Sequence, residues 1–164
     1  MQYSSIGAAG AADCQSTANE KVEEKVVLLA EDDTAVRTLA ALALQAEHLY
    51  VLQACNGEEA LRVARTHDNI DLVLTDVEMG AGLNGIDLRS RILAERPGLP
   101  VLVMSGFSEN ESMAAEKGIP FLAKPFTFAN LRQRVREVLA FKIPAQSETS
   151  TKLRQTTTDQ TGDA

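Results

Sequence analysis

The stretch Leu72-Val73-Leu74-Thr75-Asp76 decides how this chain is read. Its apolar and β-branched residues run without alternation, as in a strand buried on both faces, and the run stops at a carboxylate. An ionised Asp is rarely tolerated inside a core. One that ends a buried strand belongs at the mouth of a sheet, facing a ligand or a partner. Asp76 is therefore the first candidate functional residue. The plainer alternative is that Asp76 caps the following turn, where Asp is common. The sequence on either side weighs between the two.

Toward the amino terminus, Val26-Val27-Leu28-Leu29-Ala30 is a second short apolar run, followed by Glu31-Asp32-Asp33. From about Thr34 to Glu47, Val36, Leu39, Ala40, Ala43, Leu44 and Ala46 fall near helical spacing. Tyr50 to Ala54 reads as another strand, and Asn56-Gly57 as a turn into a helix from Glu58 to about Arg65. Beyond Asp76, a glycine-rich loop, Met79 to Gly85, leads to a helix from about Ile86 to Glu95, closed by Arg96-Pro97-Gly98. Val101-Leu102-Val103-Met104-Ser105 is the fourth strand, and a short helix, roughly Asn110 to Lys117, ends at Gly118. Phe121-Leu122-Ala123-Lys124 is the fifth strand, stopped by Pro125. Thr127 opens a last helix with Leu131, Val135, Val138 and Leu139 on one side.

The 164 residues carry a net charge of -7. That balance argues against direct nucleic-acid binding, which needs clustered Lys and Arg to neutralise phosphates. Cys14 and Cys55 lie far apart, and neither they nor His48 and His67 have the spacing of metal ligands. The opening residues lack a basic start followed by an apolar stretch, and no run approaches the ~20 apolar residues that span a membrane. A cytoplasmic protein is expected, with no membrane partner. Residues 1–24 and 142–164 are polar or small and show no sustained period, so they read as a flexible extension and a disordered tail around one domain at 25–141.

Short apolar strands alternating with helices indicate an α/β fold, a parallel sheet with helices on both faces, because parallel neighbours need crossover connections. In such folds the ligand site lies outside the carboxyl ends of the strands. The Glu31-Asp32-Asp33 triplet, Asp76, Ser105 and Lys124 all stand at those ends. Carboxylates crowded together repel one another unless a cation compensates them, and oxygen ligands suit Mg2+. Lys124 adds a point charge for an anionic group and Ser105 a hydroxyl donor. The set describes a phosphoryl-transfer site with Asp76 as nucleophile.

From about Val26 to Ala140 the chain resembles the receiver domain of two-component response regulators. The resemblance rests on Leu29-Ala30-Glu31-Asp32-Asp33 with Arg37 five residues after Asp32, on Leu74-Thr75-Asp76-Val77-Glu78-Met79, on Val103-Met104-Ser105-Gly106 and on Lys124-Pro125-Phe126. It implies a flavodoxin-like doubly wound five-stranded sheet in strand order 2-1-3-4-5. It implies that Asp76 is a phosphoacceptor, converted to 4-aspartylphosphate by a sensor histidine kinase or a histidine phosphotransfer protein in phosphorelay signal transduction. By the same resemblance Asp32, Asp76 and the Glu78 backbone carbonyl would hold Mg2+ directly and Glu31 would do so through water. Ser105 and Lys124 would contact the phosphoryl group, Phe121 would be the aromatic switch, and the Lys124-Pro125 bond would be cis. The resemblance implies a protein that is not a classified enzyme and that acts on a downstream protein target through its fourth-helix to fifth-helix face. Without a recognisable output module in the sequence, a stand-alone, single-domain response regulator is expected.

Two features depart from the family pattern. Gly80 follows Met79 where many receivers have proline, and the loop to Gly85 is one residue longer than the commonest form. Glycine loosens the backbone that carries the Glu78 carbonyl. Taken singly, Ser105 is a strand-end hydroxyl bonded to local backbone, Lys124 a solvated charge, Phe121 a core residue, and Asp33 a solvated carboxylate. Two other functions compete. An aspartate-nucleophile phosphohydrolase also uses a strand-end Asp with Mg2+ and Lys, but its second Asp would stand where Glu78 does, and it needs a cap. A pseudo-receiver used only for interaction would have lost acidic, hydroxyl or Lys positions that are all present here.

Overall fold

The computed structural model describes residues 24–140. Of the expected extension 1–24 only Glu24 falls within that range, and the expected tail 142–164 lies outside it. The elements alternate: β1 (Val26–Ala30), α1 (Thr34–Gln45), β2 (Tyr50–Ala54), α2 (Gly57–Thr66), β3 (Ile70–Asp76), α3 (Gly85–Glu95), β4 (Val101–Ser105), α4 (Ser108–Glu116), β5 (Phe121–Ala123) and α5 (Phe128–Ala140). The strands form one sheet in the order β2-β1-β3-β4-β5, with every neighbouring pair parallel. This is the flavodoxin-like, doubly wound arrangement that the sequence leads one to expect, with the strand order reversing beside β1 and β3.

Alternation along the strands sorts the core into two layers. Val27, Leu29, Leu72, Leu74, Leu102 and Met104 point to one face and pack with Leu44 of α1 and with Leu131 and Val135 of α5. Leu28, Val73 and Val103 point to the other and pack with Leu61 of α2, Leu88 and Ile92 of α3 and Ala114 of α4. Central strands covered on both sides have no polar face, which explains the unbroken apolar runs. Burying each such side chain is worth roughly 1.5–3 kcal/mol.

Several boundaries differ from the sequence expectation, each for a local reason. β3 begins at Ile70 rather than Leu72, because the register slips once between Val26 and Val27 and leaves Asp71 as an inserted residue. The Asp71 carboxylate accepts from the Val26 N–H at 2.8 Å and from Lys25 Nζ at 2.8 Å. α4 begins at Ser108 rather than Asn110, with Phe107 at its N-cap and no side-chain cap. β5 ends at Ala123, yet the Lys124 N–H still donates to the Ser105 carbonyl at 2.8 Å, and the following Lys124-Pro125 bond is cis.

Register places the polar residues. Ala30 lies opposite Thr75, Asp76 opposite Met104, and Ser105 opposite Ala123. Glu31, Asp76, Ser105 and Lys124 therefore leave neighbouring strands at nearly one level. The loop after β3 is shaped by glycine. Gly82 has φ +114, and a Cβ at Gly85 would lie 2.0 Å from the Asp76 carbonyl oxygen.

Candidate functional site

Three carboxylates converge at the mouth between β1 and β3. Ligand atoms of Glu31, Asp32 and Asp76 all lie within 4.8 Å of one another. The turn that presents two of them is pinned from α1. Asp33, expected only as a solvated charge, caps that helix by accepting from the Ala35 and Val36 N–H groups at 2.8 and 3.0 Å. Those bonds, Val36 first, hold its carboxyl below the usual range. Arg37 Nη1 donates to the Glu31 carbonyl at 2.6 Å and to the Asp32 carbonyl at 3.2 Å, fixing the acidic turn from outside. Glu31 is 1% exposed and Asp76 4%, whereas Asp32 is on the open side.

Lys124 reaches in from beyond β5 and bridges the two buried members, 2.8 Å from Glu31 Oε2 and 2.9 Å from Asp76 Oδ2. Burial pulls its ammonium toward neutrality, but these bonds more than offset that, and its pKa is raised. Asp76 responds differently. Burial is the largest influence on it; with repulsion from Glu31 and Glu78 it outweighs Lys124 and pushes the carboxyl up to about 6. One ammonium against three carboxylates leaves an excess of negative charge. Asp76 Oδ1 is buried without a hydrogen-bond partner among the described residues. An all-oxygen donor set with an unpartnered buried carboxylate oxygen fits a hard divalent cation. The alternative of an Asp76 that caps a turn finds no support in its contacts, since its recorded partner is Lys124.

Ser105 is at the expected strand end and 1% exposed, but its hydroxyl is bonded to neither the Asp76 nor the Lys124 side chain. Its hydroxyl donates to Glu78 Oε1 at 2.9 Å and, more weakly, to Oε2 at 3.2 Å. It accepts from the Phe107 N–H at 3.1 Å and from Asn110 Nδ2 at 2.9 Å. Asn110 Nδ2 also donates to Glu78 Oε1 at 2.8 Å. The loop that carries Glu78 is held to α2 by Glu58, whose carboxylate accepts from the Leu83 N–H at 2.8 Å. Phe121 is half-buried on the edge strand, opposite Val103, and packs against the core layer of α2, α3 and α4. Asn110 and Glu58 are missing from the set read in the sequence. Neither sits in a motif, and only the fold brings them to the loop.

A doubly wound sheet with an acidic, oxygen-lined pocket at its carboxyl edge defines the class: a small flavodoxin-like α/β domain with its charged residues gathered at the strand ends. Residues 27–136 match the family described as the response regulator receiver domain, and the chain belongs to that family. It is 32% identical over 125 residues to the transcriptional regulatory protein GlrR of Escherichia coli, covering 74% of this chain and 28% of that protein. It is 40% identical over 119 residues to the DNA-binding transcriptional regulator NtrC of Rhizobium meliloti, covering 70% of this chain and 24% of that one. The chain thus spans less than a third of either regulator. The crystal structure of response regulator protein TrrA from Thermotoga maritima in complex with Mg(2+)-BeF is similar with a TM-score of 0.64 at 28% identity, covering 70% of this chain and 98% of that one. No helix among the described residues is long and apolar enough to cross a membrane.

Proposed function

We propose that this receiver accepts a phosphoryl group on Asp76 from the phosphohistidine of a sensor histidine kinase or a histidine phosphotransfer protein, in a Mg2+-dependent step. The observation that carries the reading is the gathering of Glu31, Asp32 and Asp76 in one pocket with Lys124 bonded to Asp76. Asp76 forms the new P–O bond through a carboxylate oxygen while the P–N bond to histidine breaks and the imidazole leaves. Asp32, Asp76 and the Glu78 carbonyl would hold Mg2+, with Glu31 acting through water. The metal, when bound, supplies positive charge to neutralise the phosphoryl oxygens. That a receiver of this family, TrrA, is described in complex with Mg(2+)-BeF supports this assignment.

Lys124 is close enough to Asp76 to pair with the added oxygens, and the Ser105 hydroxyl would be drawn toward them. A departure of Ser105 leaves space beside β4 that Phe121 can fill by turning inward, altering the face of α4, β5 and α5 that a downstream protein reads. Phenylalanine has no hydroxyl to anchor it there, so the switch rests on packing and on a population shift. Beside Lys124 an apolar groove of about 520 Å³ between α1 and the start of α5, with Leu39 50% and Phe128 48% exposed, offers a protein donor contact surface. The receiver unit is assigned to 25–141.

Incubation with acetyl phosphate and Mg2+ tests the acceptor. Intact mass should show a single added phosphoryl group on the wild type and none on Asp76→Asn, whose circular dichroism stays unchanged. Labelling of Asp76→Asn to the wild-type extent overturns the assignment. Multiple turnover on a panel of phosphate esters would favour a phosphohydrolase instead.

A further inference from the structure

A serine hydroxyl has one proton to donate and two lone pairs with which to accept. At Ser105 all three are in use. Glu78 takes the proton, while the Phe107 N–H and Asn110 Nδ2 fill the acceptor sites. The hydroxyl cannot donate to anything new without releasing Glu78. Meanwhile Asp76 Oδ1, on the adjacent strand, is buried without a partner among the described residues.

Asn110 completes the arrangement. It sits in the first turn of α4, the helix that begins without a side-chain cap, and it spends its amide on Glu78 and Ser105 together. The first turn of α4 is thereby tied to the loop after β3 as well as to its own strand. A shallow groove of about 580 Å³, lined by Glu78, Gly80, Ile86, Asn110 and Met113, opens beside the pair and gives the Glu78 carboxylate room to swing out.

We propose that Glu78 and Asn110 form a latch that holds the Ser105 hydroxyl and the first turn of α4 in the unphosphorylated arrangement, so that a phosphoryl group on Asp76 must displace Glu78 to recruit Ser105. The inference rests on the reading of Asp76 as phosphoacceptor. Asn110 acts through Glu78 and Ser105 and is a positioning residue. Releasing the latch moves α4 before any partner binds, and its strength sets how much of the receiver is already in the switched form.

Asn110→Ala isolates the bond, because it changes no charge near the metal ligands. Glu78→Ala removes the carboxylate as well. Two readouts are compared in the full chain. The first, hydrogen exchange of the Phe107 to Ser112 amides, is taken in the absence of any phosphoryl analogue. It should accelerate several-fold in Asn110→Ala, with the strands unaffected. The second is the affinity for beryllofluoride with Mg2+, which should tighten about fivefold, the worth of one net hydrogen bond. The double variant should gain no more than Glu78→Ala alone, since the two residues act as a unit. Unchanged exchange in Asn110→Ala overturns the latch. Faster exchange with unchanged beryllofluoride affinity, or additive effects in the double variant, overturns the competition for Ser105. Failure of the wild type to bind beryllofluoride speaks instead against the acceptor reading, and the exchange measurement still decides whether α4 is tied.

Discussion

On the β1 and β5 side of Asp76, two nearly buried carboxylates share one ammonium, and every contact depends on ionisation. On the β4 side Glu78 has no ion pair among the described residues and is held instead by a hydroxyl and an amide. Both halves of the mouth carry carboxylates, and they differ in what answers the charge. Removing a partner from a buried ion pair strands a charge in a low-dielectric site, whereas hydrogen bonds to a carboxylate at a half-open mouth can be exchanged for bonds to water at smaller cost. The first half is suited to hold chemistry in place. The second is suited to move.

Replacing Lys124 by alanine breaks the fixed half most severely, since Glu31 is left buried without its cation. The expected loss is on the order of 3 kcal/mol in metal-free protein, read by urea unfolding. A loss no greater than that of an ordinary surface variant would show that the ion pair is structurally idle.

Asp76→Asn should act in the opposite direction. Burial holds its carboxyl up at about 6, above the ordinary range of an aspartate. Stability from this group is therefore fully present below about pH 4 and is lost as pH rises through about 6, because the folded protein must then give up a proton from a buried site. Asparagine carries no such loss. With a chelator present, the variant should match the wild type near pH 4 and exceed it above pH 6 by roughly 3 kcal/mol. A gain independent of pH would contradict the role of Asp76 burial.

The mobile half should yield least. Ser105→Ala leaves Glu78, Asn110 and the Phe107 N–H one partner short, all close enough to water to recover it, and should cost about 1 kcal/mol while labelling by acetyl phosphate persists. Loss of labelling would place Ser105 in the fixed half.

The same contrast runs through what was legible in the sequence. β3 and its terminal Asp76 are readable because a strand covered on both faces has to be apolar throughout, so a carboxylate at its end stands out. Glu31 and Lys124 are readable for the same reason, each marking the end of an apolar run. Strand order follows from the family resemblance, and the structure agrees. The partner of Ser105 is not readable. Asn110 lies in a helix that carries Glu109, Glu111 and Ser112 beside it, and only the rotation of α4 selects which of them meets the loop. Asp33 shows the intermediate case: its type and its place before a helix are the signature of a cap, and the neighbouring acidic residues obscured it. Asp71 depends on a register slip between strands, which no local pattern encodes.

The most direct test of the account is to locate the phosphoryl group itself. The protein is treated with acetyl phosphate and Mg2+, the acyl phosphate is reduced with borohydride, and the peptides are mapped by tandem mass spectrometry. The account predicts homoserine in place of aspartate at position 76 alone, abolished by chelation and strongly diminished in Asp32→Ala, whose fold is retained. Reduction at Asp32 or Asp33, or a yield at Asp76 that is indifferent to Mg2+, would contradict it.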